Sequence, residues 1–78
     1  MTKFTLTVRT HANGGAGRAE IRDDQGNLVD RASFPAGDPC HRVRALIARN
    51  SLELDHDRAP EANDDFTQVT FGLVEVQR

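Results

Sequence analysis

A two-residue alternation of apolar and polar side chains recurs three times before any helical pattern begins, and it constrains this chain most. Residues 3–10, KFTLTVRT, send Phe4, Leu6 and Val8 one way and Thr5, Thr7 and Arg9 the other. A period of two fits a half-buried pleated strand and excludes a helix. Residues 18–23 repeat the pattern, with Ala19 and Ile21 inward and Arg18, Glu20 and Arg22 outward. In residues 28–34, Leu28, Ala32 and Phe34 share one face and Val29, Arg31 and Ser33 the other. Asp30 falls on the apolar side of this count, so either it lies at a sheet edge or the register shifts there. The run His11-Ala12-Asn13-Gly14-Gly15-Ala16-Gly17 reads as a flexible turn, because glycine tolerates positive φ. Asp24-Gln25-Gly26-Asn27 reads as a tight hairpin with Gly26 in the left-handed position of a type I turn plus bulge.

One helix follows. Gly37-Asp38-Pro39 places an N-cap carboxylate before a proline that has no N–H to lose. Helical spacing continues to about Asn50, with Cys40, Val43, Leu46 and Ile47 on one side and His41, Arg44, Ala48 and Arg49 more exposed. Arg49, near the C-terminus, suits the helix dipole. Leu52, Leu54 and His56 then alternate with Glu53, Asp55 and Asp57, which allows a short strand. Residues 58–65 contain Pro60 and Asn63 without periodicity and read as a loop. Residues 66–77 read as a long strand, with Val69 and Phe71 on one face, Val74 and Val76 in the other phase, and a β-bulge at Gly72. The expected fold is α+β, in the order β-β-β-α-β with a short extra strand allowed after the helix. An antiparallel sheet of about four strands packs one helix on one face. Phe4, Phe34, Phe71 and the apolar helix side form the core, while Phe66 has the opposite phase to Phe71. The other face stays open and carries Thr5, Thr7, Arg9, Arg18, Glu20, Arg22 and Arg31.

Seventy-eight residues make one domain, 1–78, with a small core. The single cysteine, Cys40, excludes an internal disulfide and suits a reducing cytosol. The first ten residues lack an apolar segment, so they are expected to be neither a secretion signal nor a membrane span. Nine of the ten basic residues are Arg, which reads as the coding bias of a GC-rich bacterium or one of its phages.

No catalytic motif emerges, and the chain is expected to be no enzyme. Cys40 sits in the first helical turn, where a thiol is activated, but its phase points to the core and no orienting group accompanies it. Cys40, His41, Asp55, His56 and Asp57 lack the paired spacing of structural zinc ligands, so no metal and no cofactor is expected. The glycine run lacks the following helix that a phosphate loop requires. Arg9, Arg18, Arg22 and Arg31 on an open face suit phosphate contact, or a solvated face with pairs such as Arg22 with Asp30. Tyr and Trp are absent, which weighs against base stacking and so against direct nucleic-acid binding.

Charge is laid out unevenly. The formal net charge is −2, yet residues 53–65 carry Glu53, Asp55, Asp57, Glu61, Asp64 and Asp65 against Arg58 alone. Asp23 and Asp24, with Asp30, form a second cluster at the first hairpin. A row of carboxylates repels itself, so a basic partner relieves the strain. If residues 52–57 form a strand, they carry Glu61, Asp64 and Asp65 away from Asp23 and Asp24. If they form a loop, the two clusters join.

A charged hairpin from Ala19 to Phe34, followed by Ala36-Gly37-Asp38-Pro39 opening a lone helix, resembles the layout of small phage-encoded anti-CRISPR proteins, particularly inhibitors of type I systems. The resemblance covers roughly residues 18–49 and carries no residue over by position. It implies a non-enzymatic inhibitor, and the chain is expected to be cytoplasmic in a bacterial host, a monomer or homodimer, without membrane contact. Such an inhibitor docks on a CRISPR effector complex and blocks target DNA. On this reading Asp23, Asp24, Glu53, Asp55, Asp57, Glu61, Asp64 and Asp65 are the partner-binding residues. The alternative is a small nucleic-acid-binding or regulatory module that uses the Arg-bearing sheet face.

Overall fold

The computed structural model describes residues 3–10, 16–35, 39–64 and 67–76, with the side chains of Pro39 and Cys40 excepted. The expectations for the turn at 11–15, the Asp38 cap, the Cys40 thiol, Asp65 and Phe66 lie outside the described residues. The chain runs β1 (Lys3–Thr10), β2 (Gly17–Arg22), β3 (Leu28–Phe34), α1 (Pro39–Arg49), β4 (Leu52–Leu54), β5 (Glu61–Ala62) and β6 (Gln68–Glu75). The α+β class and the antiparallel sheet with one helix are as expected, with more strands than the four anticipated.

The first three strands follow the alternation. β1 pairs with β2 and β2 with β3, all antiparallel, and β6 pairs with the free side of β1. The spatial order is β3-β2-β1-β6-β4, with β5 also on β6. The sheet curls, so that α1 meets both β3 and β4, the two ends of this path. Leu6, Ala19, Ile21, Phe34, Leu46, Leu52 and Leu73 are buried between them, and Phe4, Val8, Val43, Ile47 and Phe71 pack around this core half-buried. Full burial of one such leucine contributes roughly 1.5–3 kcal/mol.

The hairpin between β2 and β3 is the expected type I turn with a bulge. Gly26 has φ 83°, its N–H donates to the Asp23 carbonyl at 3.1 Å, and the Asp23 N–H donates to the Asn27 carbonyl at 3.0 Å. A further register shift follows, where Ile21 faces Asp30 but Arg22 faces Leu28. This corrects the assignment of Leu28 to the core face. The extra residue turns Leu28 outward beside Arg22 and leaves it 45% exposed.

Asp30 is on the helix side, at the edge strand. Its carboxylate accepts from Arg49 Nε at 2.8 Å and Nη2 at 2.9 Å, and from Asn50 Nδ2 at 2.9 Å. An Arg22–Asp30 pair is therefore excluded, because the two project from opposite faces, and Arg22 instead meets Glu20 at 3.4 Å. The helix ends where Ser51 enters the left-handed region at φ 56°. The Ser51 N–H closes the last turn on the Ala48 carbonyl.

Two expectations fail in the second half. The ladder between β1 and β6 runs without interruption, Phe4 to Leu73, Thr5 to Gly72 and Leu6 to Phe71, so Gly72 is no bulge. Val69, Phe71 and Leu73 keep one phase, and Leu73 is fully buried. Glycine is needed there for another reason. The Arg58 guanidinium lies across the backbone at Gly72 where a Cβ would stand. The segment 58–65 is also not wholly loop. β4 and β5 both pair with β6, at residues 73–75 and 69–70 respectively, as one edge strand interrupted by an excursion through residues 55–60. Among the described residues, no helix is long and apolar enough to cross a membrane.

Candidate functional site

The outer face of the sheet is set by period two and by register. One row across it reads Gln68, Arg9, Arg18, Ser33. The next reads Thr70, Thr7, Glu20, Arg31. The third reads Gly72, Thr5, Arg22, Leu28. Glu20 is thus ringed by four arginines. Arg18 and Arg22 flank it along β2, Arg31 is directly opposite on β3, and Arg9 is on its diagonal on β1. Arg9 and Arg18 are themselves directly opposite. Like charges so placed destabilise a sheet, and neither forms an ion pair among the described residues. The one described ion pair in the ring is Arg22 Nη2 with Glu20 Oε2, at 3.4 Å. Arg22 Nη1 also donates to the Gly26 carbonyl at 3.2 Å, which holds this side chain toward the hairpin.

An open cleft of about 490 Å³ lies over this face, lined by Arg9, Arg18, Glu20 and Arg22 and walled on one side by Asn63, Thr67 and Gln68. A smaller concavity joins Arg18 to Arg31. The wall is built by the turn after β5, where the Asn63 N–H donates to the Gln68 carbonyl and the Gln68 N–H to Asn63 Oδ1, both at 3.1 Å. Arg9, Arg18 and Arg22 thus share one concave surface with net positive charge, and Arg31 adjoins it through the concavity it shares with Arg18. Arginine there suits bidentate contact with phosphate or carboxylate oxygens. No aromatic side chain stands in the three rows.

The acidic residues are distributed differently. Asp23 is a turn residue. Its Oδ1 accepts the N–H of Gln25 at 2.9 Å and of Asn27 at 2.8 Å, and the Asn27 N–H foremost lowers its pKa. Asp24 is exposed in the same turn. Asp55 is also engaged in structure. It accepts the Asp57 N–H at 3.0 Å and Arg58 Nε at 2.8 Å. Its pKa is lowered by the Asp57 N–H first, against a desolvation cost, with Arg58 adding to the effect. Glu53, Asp57, Glu61 and Asp64 are exposed along the β4–β5 edge. Because β5 continues along β6, Glu61 and Asp64 are carried toward the Gln68–Arg9 end of the sheet, away from the Asp23–Asp24 turn. Three strand steps, about 14 Å along the sheet, separate β2 from the β4–β5 edge. The two acidic clusters do not form one patch.

The helix arginines Arg42 and Arg44 are exposed and outside both surfaces, and Arg49 is committed to Asp30. Among the described residues, no three of His, Cys, Asp and Glu come together to hold a metal. A trough of about 300 Å³ between α1 and the inner sheet face is lined chiefly by Val8, Val43, Ile47, Leu54, Val69 and Phe71. Sequence reasoning placed the arginines on the outer face but missed their closure around Glu20, which depends on strand order. No protein-family model, no curated protein and no solved structure matches the chain.

Proposed function

We propose that this chain is a non-enzymatic binding module whose working surface is the outer sheet face, and that it takes the phosphate backbone of a nucleic acid. The observation that carries this reading is the directly opposed Arg9 and Arg18, which line the cleft and form no ion pair among the described residues. An anion bridging the two turns a repulsive pair into a bidentate site. Arg31 and Arg22 extend the positive surface for neighbouring phosphates. Without aromatic platforms the contact is chiefly electrostatic and salt-sensitive. In fluorescence anisotropy with a labelled single-stranded oligonucleotide at low salt, wild type binds and R9A/R18A loses at least tenfold in affinity. Absence of wild-type binding to any strand or duplex overturns the reading.

A second reading keeps the anti-CRISPR resemblance. Glu53, Asp57, Glu61 and Asp64 stand exposed along one sheet edge without ion pairs among the described residues. In this reading the edge docks on a basic surface of a CRISPR effector subunit and obstructs DNA. The separation from Asp23 and Asp24 favours a local contact over imitation of a long phosphate track. Reversing these four carboxylates to lysine abolishes inhibition of a susceptible effector complex in a DNA-binding assay. Inhibition that survives the reversal dismisses it.

A further inference from the structure

A bare phosphate site has no use for a carboxylate at its centre. Yet the floor of the arginine cleft carries Glu20, whose side chain is only 16% exposed and is ringed by Arg9, Arg18, Arg22 and Arg31. Its one described contact is the long 3.4 Å approach of Arg22 to Oε2. Oε1 has no described partner, so the carboxylate retains capacity to accept. A polyphosphate laid across this face meets a negative charge in the middle. A ligand that is anionic at one end and a double N–H donor at the other meets complementary groups throughout.

We infer that the cleft is a guanine nucleotide subsite for single-stranded nucleic acid, with Glu20 reading the base. This rests on the phosphate-binding reading above. Guanine presents N1–H and the N2 amino group side by side on its Watson–Crick edge. A carboxylate accepts from both with its two oxygens, whereas adenine and cytosine each offer one amino donor and thymine offers only N3–H. That edge is accessible only in an unpaired base, which selects a single strand over a duplex. Arg9 and Arg18 take the adjoining phosphate. Arg31, directly opposite Glu20, supplies a guanidinium for stacking in place of the absent aromatics. The cleft volume of about 490 Å³ admits one nucleotide. Gln68 on the wall offers its side-chain amide to the remaining base or sugar atoms, while the Asn63 amide is held by the Gln68 N–H and Thr67 Oγ1.

The test is anisotropy with three labelled single strands of equal length: all thymidine, thymidine with two separated guanosines, and the same with inosines, which lack the N2 amino group. The guanosine strand binds about tenfold tighter than the thymidine strand, and the inosine strand falls between them. Glu20→Gln replaces one acceptor oxygen with a donor. It loses the guanosine preference while its affinity for the thymidine strand is unchanged or higher. A thermal melt by circular dichroism verifies that the variant is folded, and Glu20→Ala repeats the test if it is not. Equal binding of all three strands by wild type overturns the guanine assignment and leaves the phosphate reading standing. A preference that persists in both variants overturns the role of Glu20. No binding of any strand overturns both.

Discussion

A Cβ on Gly72 would collide with the Arg58 guanidinium, and that one contact organises the second half of the chain. Arg58 Nη2 donates to the Phe4 carbonyl at 2.9 Å and the Leu73 carbonyl at 3.0 Å, while Nε meets Asp55 at 2.8 Å. One side chain thereby fastens the excursion between β4 and β5 to β1 and β6. Gly72→Ala is expected to destabilise by about 1–3 kcal/mol, because either the arginine or the strand must move. Chemical denaturation measures this, and an unchanged midpoint contradicts the role given to Arg58. The glycine was visible in the sequence, but its cause was not. The changed phase of Val74 and Val76 points to a bulge. The continuing phase of Val69, Phe71 and Leu73 was equally legible and was the better guide. Only the fold could reveal that the missing Cβ makes room for a side chain fourteen positions earlier.

At the scale of elements, Asp30 joins the edge strand to the helix end. Its polar side chain on the apolar face marked an irregularity in the sequence. The partners, Arg49 and Asn50, were hidden because they are 19 and 20 residues away. The clamp also blunts the edge of β3. The Arg31 N–H donates to Asp30 Oδ1 at 2.8 Å and the Arg31 carbonyl accepts from Arg49 at 3.1 Å, so neither group is left to recruit another strand. Arg49 foremost, then Asn50 and the Arg31 N–H, hold the Asp30 carboxyl well below the usual carboxylate range. Asp23 and Asp55 are shifted in the same direction. A folded pKa below the unfolded one gives stability that is fully present above the unfolded value, about 3.9, and is lost as pH falls through the folded one. The melting temperature is therefore expected to hold from about pH 7 to 5 and to drop below about 4. Asp30→Asn melts lower at neutral pH and shows a shallower acid fall. A variant whose acid profile parallels that of wild type contradicts the clamp.

For the whole molecule, the curl of the sheet decides which charges act together. Period two was enough to read the outward arginines and the class of the fold. It could not reveal strand order, and the order places Arg9, Arg18 and Arg31 on three neighbouring strands around Glu20. The two-residue β5 has too short a pattern to be read, yet it fixes where the acidic run goes. By following β6 it parts Glu61 and Asp64 from Asp23 and Asp24. A charge run contiguous in sequence thus becomes an edge, and four arginines scattered over 23 positions (Arg9 to Arg31) become a face. The molecule presents a positive concave surface and a negative rim despite its net charge of −2.

The most direct measurement is the salt dependence of single-strand binding, compared between wild type and R9A/R18A. Three to four phosphate contacts give a slope of about −2 to −3 in log affinity against log salt, at about 0.7 per contact on a single strand. The double variant should lose about half of that slope along with its affinity. A wild type that binds no strand at low salt, or a double variant with an unaltered slope, contradicts the assignment of this face.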